Sequence, residues 1–268
     1  MQIVSFNIRG WRRINNESNL SRLAALLKQV DADIIGLNEV DHPLHKEEGI
    51  ALEWLAKQLD MTWFFGACLT RSGTPSPGSY GNALLTRTKV HAVETGLFTR
   101  LPEKQRRGFI RASLEVENRP LNLVVTHLDH TDERARMLQL EDLLHSVGDS
   151  VDVVIGDFNC IHPRDYDDRP ETLTRLSQHP IAFHMTNGEV GPIVCSRMEE
   201  AGFVDAFVHR EVLGGNTFMR AEEPVRLDYV CVASPWIDSL TDVGVVDEPI
   251  DEEASDHRPV YAAFNPAF

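Results

Sequence analysis

The chain has 268 residues, 42% of them hydrophobic, and its 41 acidic against 26 basic residues give a net charge of −15. That length suits one large α/β domain or two small ones. The charge excludes a general attraction to nucleic acid or an anionic membrane, so either partner would need a local basic rim or bound cations.

QIVSFNI (2–8) reads as a strand and leads to a helix in which Leu20, Leu23, Leu27 and Val30 recur at steps of three and four. DIIGLNEV (33–40) is a second strand, followed by a helix around GIALEWLAKQLD. MTWFFGACL, YGNALLTR and KVHAVETGL read as successive strands, the first two joined by the Gly/Ser/Pro loop RSGTPSPGSYG. GFIRASLEV and LNLVVTHL, split by ENRP, form a hairpin pattern. In TDERARMLQLEDLLHSVG the spacing predicts a helix capped by Thr131, with Asp132 and Glu133 in its first turn. Met137, Leu140, Leu144 and Val147 line one face, and Gly148 stands just past the end. VDVVIGDFN follows as a strand. Residues 161–200, with prolines at 163, 170, 180 and 192, read as loops and short helices over a surface. LDYVCVA and RPVYAAF close the chain as strands. No repeat, low-complexity tract or linker interrupts it, so residues 1–268 are read as one domain.

Cys68, Cys160, Cys195 and Cys231 form no C-x-x-C pair, which points to reduced thiols rather than a zinc site or a disulfide frame. The opening MQIVSFNI lacks the basic start and long apolar core of a secretory signal, and no run of about 18 apolar residues occurs. The expectation is a cytoplasmic monomer without a transmembrane segment, secreted only if a leader has been removed.

Polar residues stand where the apolar runs stop. Asn7, Glu39, His127 and Asp157 follow IVSF, IIGL, NLVVT and VVIG, while Asn82, Asp228 and the Asp256–His257 pair precede ALLT, YVCV and PVYAAF. With antiparallel neighbours, the end of one strand and the start of the next share a sheet edge, so these positions can converge on one rim. Taken singly, an Asp or Asn after a strand is usually a turn former. The shared placement is the informative fact. Glu39, Asp157, Asp228 and Asp256 could not all ionise side by side without a compensating cation, and oxygen ligands suit Mg²⁺ or Mn²⁺. Such a cation, amides from Asn7 and Asn159 and two histidines fit phosphate ester hydrolysis: the metal polarises a phosphoryl oxygen, a carboxylate or imidazole takes the water proton, and amides hold the oxyanion.

SFNIRG, IIGLNEV, YGNALLTR, VVTHLDH, VVIGDFN, RLDYVCV and SDHRPV, in that order, resemble the endonuclease/exonuclease/phosphatase superfamily over essentially the whole chain. The resemblance implies a four-layer α/β sandwich, two mixed sheets face to face with helices outside and the site at one end. It implies Glu39 as chief metal ligand with Asn7 and Asp256 nearby, and Asp157 and Asn159 orienting or deprotonating the nucleophilic water and holding the phosphate. Asp228 would pair with His257, fixing its tautomer and raising its pKa, and Asn82 and His127 would form a second phosphate-facing pair. Arg107 lies where relatives keep a phosphate-contacting arginine, with Arg111 the competing candidate. Asp157 and His257 both remain open as general base, and so does the number of metal ions.

The superfamily's usual L-Q-E reads Leu37-Asn38-Glu39 here, and the W-N-V/I-N-G opening of the abasic-site nucleases is absent. THLDH followed by ERARMLQLEDLL looks more like the bacterial phosphodiesterase and phosphatase members. The implied activity is a Mg²⁺-dependent phosphoesterase acting on a small molecule or lipid headgroup. A DNA or RNA nuclease is the rival enzyme, and a silent binding domain on the same fold is the rival of another class.

Overall fold

The structure is a computed structural model that describes residues 1–13, 15–71, 78–179, 182–186, 193–219, 224–234, 236–246 and 254–265. The turn-rich loop at 72–77 and the prolines at 180 and 192 lie outside the described residues. The elements run β1 (Gln2–Asn7), α1 (Leu20–Val30), β2 (Ile34–His42), a short hairpin of β3 (His45–Lys46) and β4 (Gly49–Ile50), α2 (Ala51–Leu59), β5 (Thr62–Arg71) and β6 (Gly78–Thr86). Next come β7 (Lys89–Leu97), β8 (Gly108–Val116), β9 (Arg119–His127), α3 (Glu133–Val147) and β10 (Val153–Asp157). The proline-rich stretch folds as α4 (Pro170–Gln178), α5 (Phe183–Thr186) and α6 (Ile193–Glu200). The chain ends with β11 (Phe203–Asp205), α7 (Ala206–His209), β12 (Asp228–Ala233), β13 (Leu240–Val245) and β14 (Val260–Phe264).

Among the described residues two six-stranded sheets form, in the orders β13-β14-β1-β2-β6-β5 and β11-β12-β10-β9-β8-β7. Each has a parallel central pair, β1 with β2 and β9 with β10, flanked by antiparallel neighbours. The alternation of strand side chains explains the layers. Ile3, Ile34, Val125 and Ile155 face the other sheet in a shared core. Val4, Ile35 and Leu37 turn outward to Leu23, Leu27 and Leu55 of α1 and α2. Val124 and Val154 turn outward to Leu140 of α3 and Met198 of α6. A central strand buried on both faces needs an unbroken apolar run, which is why VVI precedes Gly156. Each such side chain stabilises the fold by about 1.5–3 kcal/mol when fully buried. The architecture is the four-layer α/β sandwich expected.

α3 departs from expectation at its start. Asp132, not Thr131, caps it, accepting from the backbone N–H groups of Arg134 (2.8 Å) and Ala135 (3.2 Å). Thr131 is drawn back by Asp129, whose Oδ1 accepts from both its N–H and its hydroxyl (2.8 and 2.7 Å). The buried face then runs through Ala135, Gln139, Leu140 and Leu143, leaving Met137 and Leu144 only partly covered. β11 and β13 were not anticipated: each is a short edge strand without a sustained apolar pattern.

His162, the N-cap of the turn at Pro163–Tyr166, carries a stability prediction. Its Nδ1 accepts from the Arg164 N–H at 3.2 Å. Burial pushes the imidazole down to about 4, with Asp205 opposing. A depressed folded pKa means the contribution is present above the unfolded value near 6.5 and is lost as pH falls through about 4. The expected loss between pH 7 and 4.5 is about 2–3 kcal/mol. Urea midpoints of wild type and His162→Gln should differ at pH 7 and converge at pH 4.5, and a pH-independent gap would refute the linkage.

Candidate active site

The register brings the rim residues together. Asn7 lies opposite Asn38 across β1 and β2, and Asp157 lies between His127 and Asp228 across β9, β10 and β12. Two local distortions aim the side chains. Glu39 takes φ 59 where the β2–β6 register slips between Leu37 and Val40, and such a bulge re-aims a strand residue. Gly156, at φ 149, passes so close to β9 that a Cβ there would lie 1.8 Å from the Thr126 carbonyl oxygen. Only glycine allows Asp157 to approach His127 in this way.

Asp157 is buried at the centre. Its Oδ2 accepts from Asn7 Nδ2 at 2.9 Å, and the same amide reaches Glu39 Oε1 at 3.2 Å. Oδ1 accepts from the Asn159 N–H at 2.9 Å, a contact made possible by the left-handed backbone of Asn159 at φ 52. Burial raises the Asp157 carboxyl to about 7, with His257 pulling it down and Asp228 pushing it up. His257 donates from Nδ1 to Asp228 Oδ2 at 2.8 Å, and its Nε2 lies 3.8 Å from Asp157 Oδ2. Burial alone would lower this imidazole, but the Asp228 and Asp157 charges outweigh it and raise it to about 10. His257 is therefore an imidazolium at neutral pH.

Arg107 is enclosed beside them. Its Nη1 donates to the Tyr80 hydroxyl (3.1 Å) and to His127 Nδ1 (2.9 Å), and its Nη2 to His130 Nδ1 (3.3 Å). A guanidinium only donates, so both imidazoles accept at Nδ1 and carry their proton on Nε2. His127 Nε2 then points at Asp157 Oδ2, 3.4 Å away. Burial, followed by the Arg107 charge, holds both histidines below the usual range. Arg111, the competing candidate, sits along β8 and donates to Ser150 Oγ at 2.6 Å, away from these groups.

Glu39, Arg107, His127, Asp157, Asp256 and His257 line one cavity of about 440 Å³. A larger one, about 650 Å³ between α3 and α6, carries none of the rim residues. One expectation needs correction. Asn82 does not form a phosphate-facing pair with His127: its Oδ1 accepts from Asn38 and its Nδ2 donates to the Gly108 carbonyl (both 2.9 Å), below the cavity floor. Asn7 presents its NH₂ to the carboxylates while its oxygen accepts from the Arg9 N–H at 3.1 Å, so it acts as a donor between acids. Two neighbouring carboxylates demand donors, and the amide supplies them.

Sequence reasoning missed Asn38 and Tyr80. Asn38 Nδ2 donates to Asn82 and to the Thr126 carbonyl, and its Oδ1 accepts from the Asp157 N–H at 2.9 Å, so one buried amide ties the two sheets together under the site. Tyr80 shares a strand face with Asn82 two residues on, an alternation that could have revealed it.

The sequence profile of the Endonuclease/Exonuclease/phosphatase family matches residues 4–257. The chain belongs to this family. Among solved structures, a family protein from Beutenbergia cavernae superposes with a TM-score of 0.72 at 22% identity, covering 98% of this chain and 70% of its own. An AP endonuclease from Archaeoglobus fulgidus gives 0.70 at 20% identity, covering 99% of each chain. A mannosyl-6-phosphatase from Bacteroides thetaiotaomicron gives 0.65 at 17%, again covering 99% of each. No curated protein matches the sequence. Endonuclease/exonuclease/phosphatase members are generally divalent-metal-dependent hydrolases of phosphoesters.

The site fits a hard cation of that kind. Oxygen donors predominate, Asp228 Oδ1 is buried without a hydrogen-bond partner, and Asp157 is held near neutrality by burial. Asp157, Asp228 and His257 bring potential ligand atoms within 4.8 Å of one another, though the proton on His257 leaves only the carboxylates as oxygen donors. Glu39 and Asp256 stand on the cavity wall, with Asp256 Oδ2 paired to Arg9 Nε at 3.2 Å. No described helix is long and apolar enough to cross a membrane.

Proposed function

We propose that the chain is a Mg²⁺- or Mn²⁺-dependent phosphoesterase, acting as one catalytic unit over residues 1–268. The observation that carries this reading is the meeting of Asp157, the His257–Asp228 pair, Arg107 and the acids Glu39 and Asp256 in one cavity. A bound cation would be held by Glu39 and Asp256 and would supply charge neutralisation at the phosphoryl oxygens.

The chain's own groups have separable tasks. Asp157, with a pKa near 7, can accept the proton of an attacking water, whereas His257 already holds its proton and serves as a donor to a phosphoryl oxygen. On this reading Asp157 takes the base role. Arg107 supplies fixed positive charge and the Nε2–H of His127 a donor for the developing oxyanion, while the backbone N–H of Asn159 holds Asp157 in place.

A small or single-headgroup ester is the favoured substrate, because the chain is acidic and its basic runs RGWRR and EKQRRGFIR are short. A site neutralising one or two phosphates should show a log–log salt slope of binding of about −1 to −2, against far steeper for a duplex binder. The test combines hydrolysis of aryl, lipid, sugar and nucleic acid esters in Mg²⁺ with affinities measured from about 50 to 200 mM salt. A steep slope on duplex DNA together with plasmid cleavage would replace this reading with the nuclease one.

A further inference from the structure

The cavity lining is chemically mixed. Beside the acids and Arg107 it holds three apolar side chains, Met185, Phe218 and Leu227, with His184 next to Met185. Met185 and Leu227 are members of an apolar cluster with Ile161, Leu173 and Val225, and Phe218 packs on it. Phe218 is the part of this apolar wall that opens most to the cavity, while Met185 and Leu227 are largely buried and show it only small areas. It reaches the reacting centre, since the Phe218 ring lies tilted against the His257 ring at 5.0 Å between centroids.

The wall also has its backbone hydrogen bonds already made. Phe218 exchanges both backbone bonds with Val225 (2.8 and 3.1 Å). The Met185 N–H donates to the Ala182 carbonyl (2.9 Å), and its carbonyl accepts from Ile161 (3.3 Å). The Leu227 N–H donates to Thr217 Oγ1 (2.9 Å), and its carbonyl accepts from Phe158 (2.9 Å). A hydroxyl pressed against these three residues leaves its water partners and gains none, which costs binding. Gln105, His130, Thr131 and His184 supply further polar lining.

We propose that the substrate's organic group at this wall is apolar, an alkyl or aryl alcohol esterified to phosphate, and that Met185, Phe218 and Leu227 select it against polyols and sugars. The inference rests on the phosphoesterase reading and names the substrate class of that same site.

The experiment compares hexyl phosphate and phenyl phosphate with glycerol phosphate and glucose 6-phosphate, each also as its methyl diester, in Mg²⁺. The hexyl and phenyl arms separate a lipid-like chain from an aromatic ring. Hexyl phosphate has a poorer leaving group than glycerol phosphate, so a preference for it reports the wall rather than intrinsic reactivity. The expected preference is about tenfold or more in kcat/KM, carried mainly by KM. Phe218→Ser and Met185→Gln should collapse it, and Phe218→Leu should restore most of it. Binding of hexyl and glyceryl phosphonates is measured on the same proteins. Tighter binding of the hexyl compound without hydrolysis of any ester leaves the wall's role standing and overturns the hydrolase reading. Equal rates or equal affinities for apolar and polar partners overturn the wall's role.

Discussion

Asp228→Asn and His257→Gln should each cost roughly 10²–10⁴-fold in hydrolytic rate, and the double variant little more than the worse single. The 2.8 Å bond between two buried side chains makes them one working unit. Asp228 is the largest of the charges that hold the proton on His257, so without it burial is opposed only by Asp157 and Asp256 and the imidazole pKa falls. Losses that add in log rate would show independent action and remove the orienting role of Asp228. An imidazole NMR titration gives a second readout: wild-type His257 should keep its proton to about pH 10, and the Asp228→Asn variant should release it well below that. An unchanged titration would contradict the pairing even if both variants were inactive.

Glu39→Gly should abolish Mg²⁺-dependent hydrolysis while making the cation-free chain more stable by roughly 1 kcal/mol. Glu39 holds φ 59, a conformation costly for any residue with a Cβ, and its charge faces Asp157 across Asn7. Glycine relieves both the backbone strain and the repulsion. Strain kept at such a position is explained by the direction it gives the carboxylate. The measurement is thermal unfolding with and without Mg²⁺: the variant should melt higher without the cation and gain less from it than wild type. Full activity at ordinary Mg²⁺, or an unchanged thermal shift, would remove Glu39 from the cation site.

Much of this site was legible because apolar runs end at polar residues, and the sheet carries those ends to one edge. Asn7, Glu39, His127, Asp157, Asp228 and His257 all follow from that single regularity. The rest depends on facts that no local pattern records. Asn38 lies inside an apolar run and reads as a tolerated variant beside the ligand, yet it donates across to the other sheet and accepts from Asp157. Asn82 satisfies the same rim rule but is drawn under the floor by Asn38 and the Gly108 carbonyl. Arg107 and Arg111 share strand parity, and only distance separates them: four residues along a strand span about 13 Å. The apolar wall was invisible for another reason. Met185, Phe218 and Leu227 come from loops and a four-residue helix that periodicity cannot register.

The hydrogen bonds under the site join residues far apart in the chain: Asn7 to Asp157, separated by 150 positions, and Asn38 to the Asp157 N–H, separated by 119. Closing loops of that size is entropically slow, and contacts of this kind form late in folding. Neither sheet alone holds the full set of acids, and His257 arrives almost at the end of the chain. A nascent or half-folded chain therefore carries scattered carboxylates with little hold on a divalent ion. On the proposed reading, competence to bind the ion would appear only once the two sheets have docked, and its onset during refolding would mark the final assembly step.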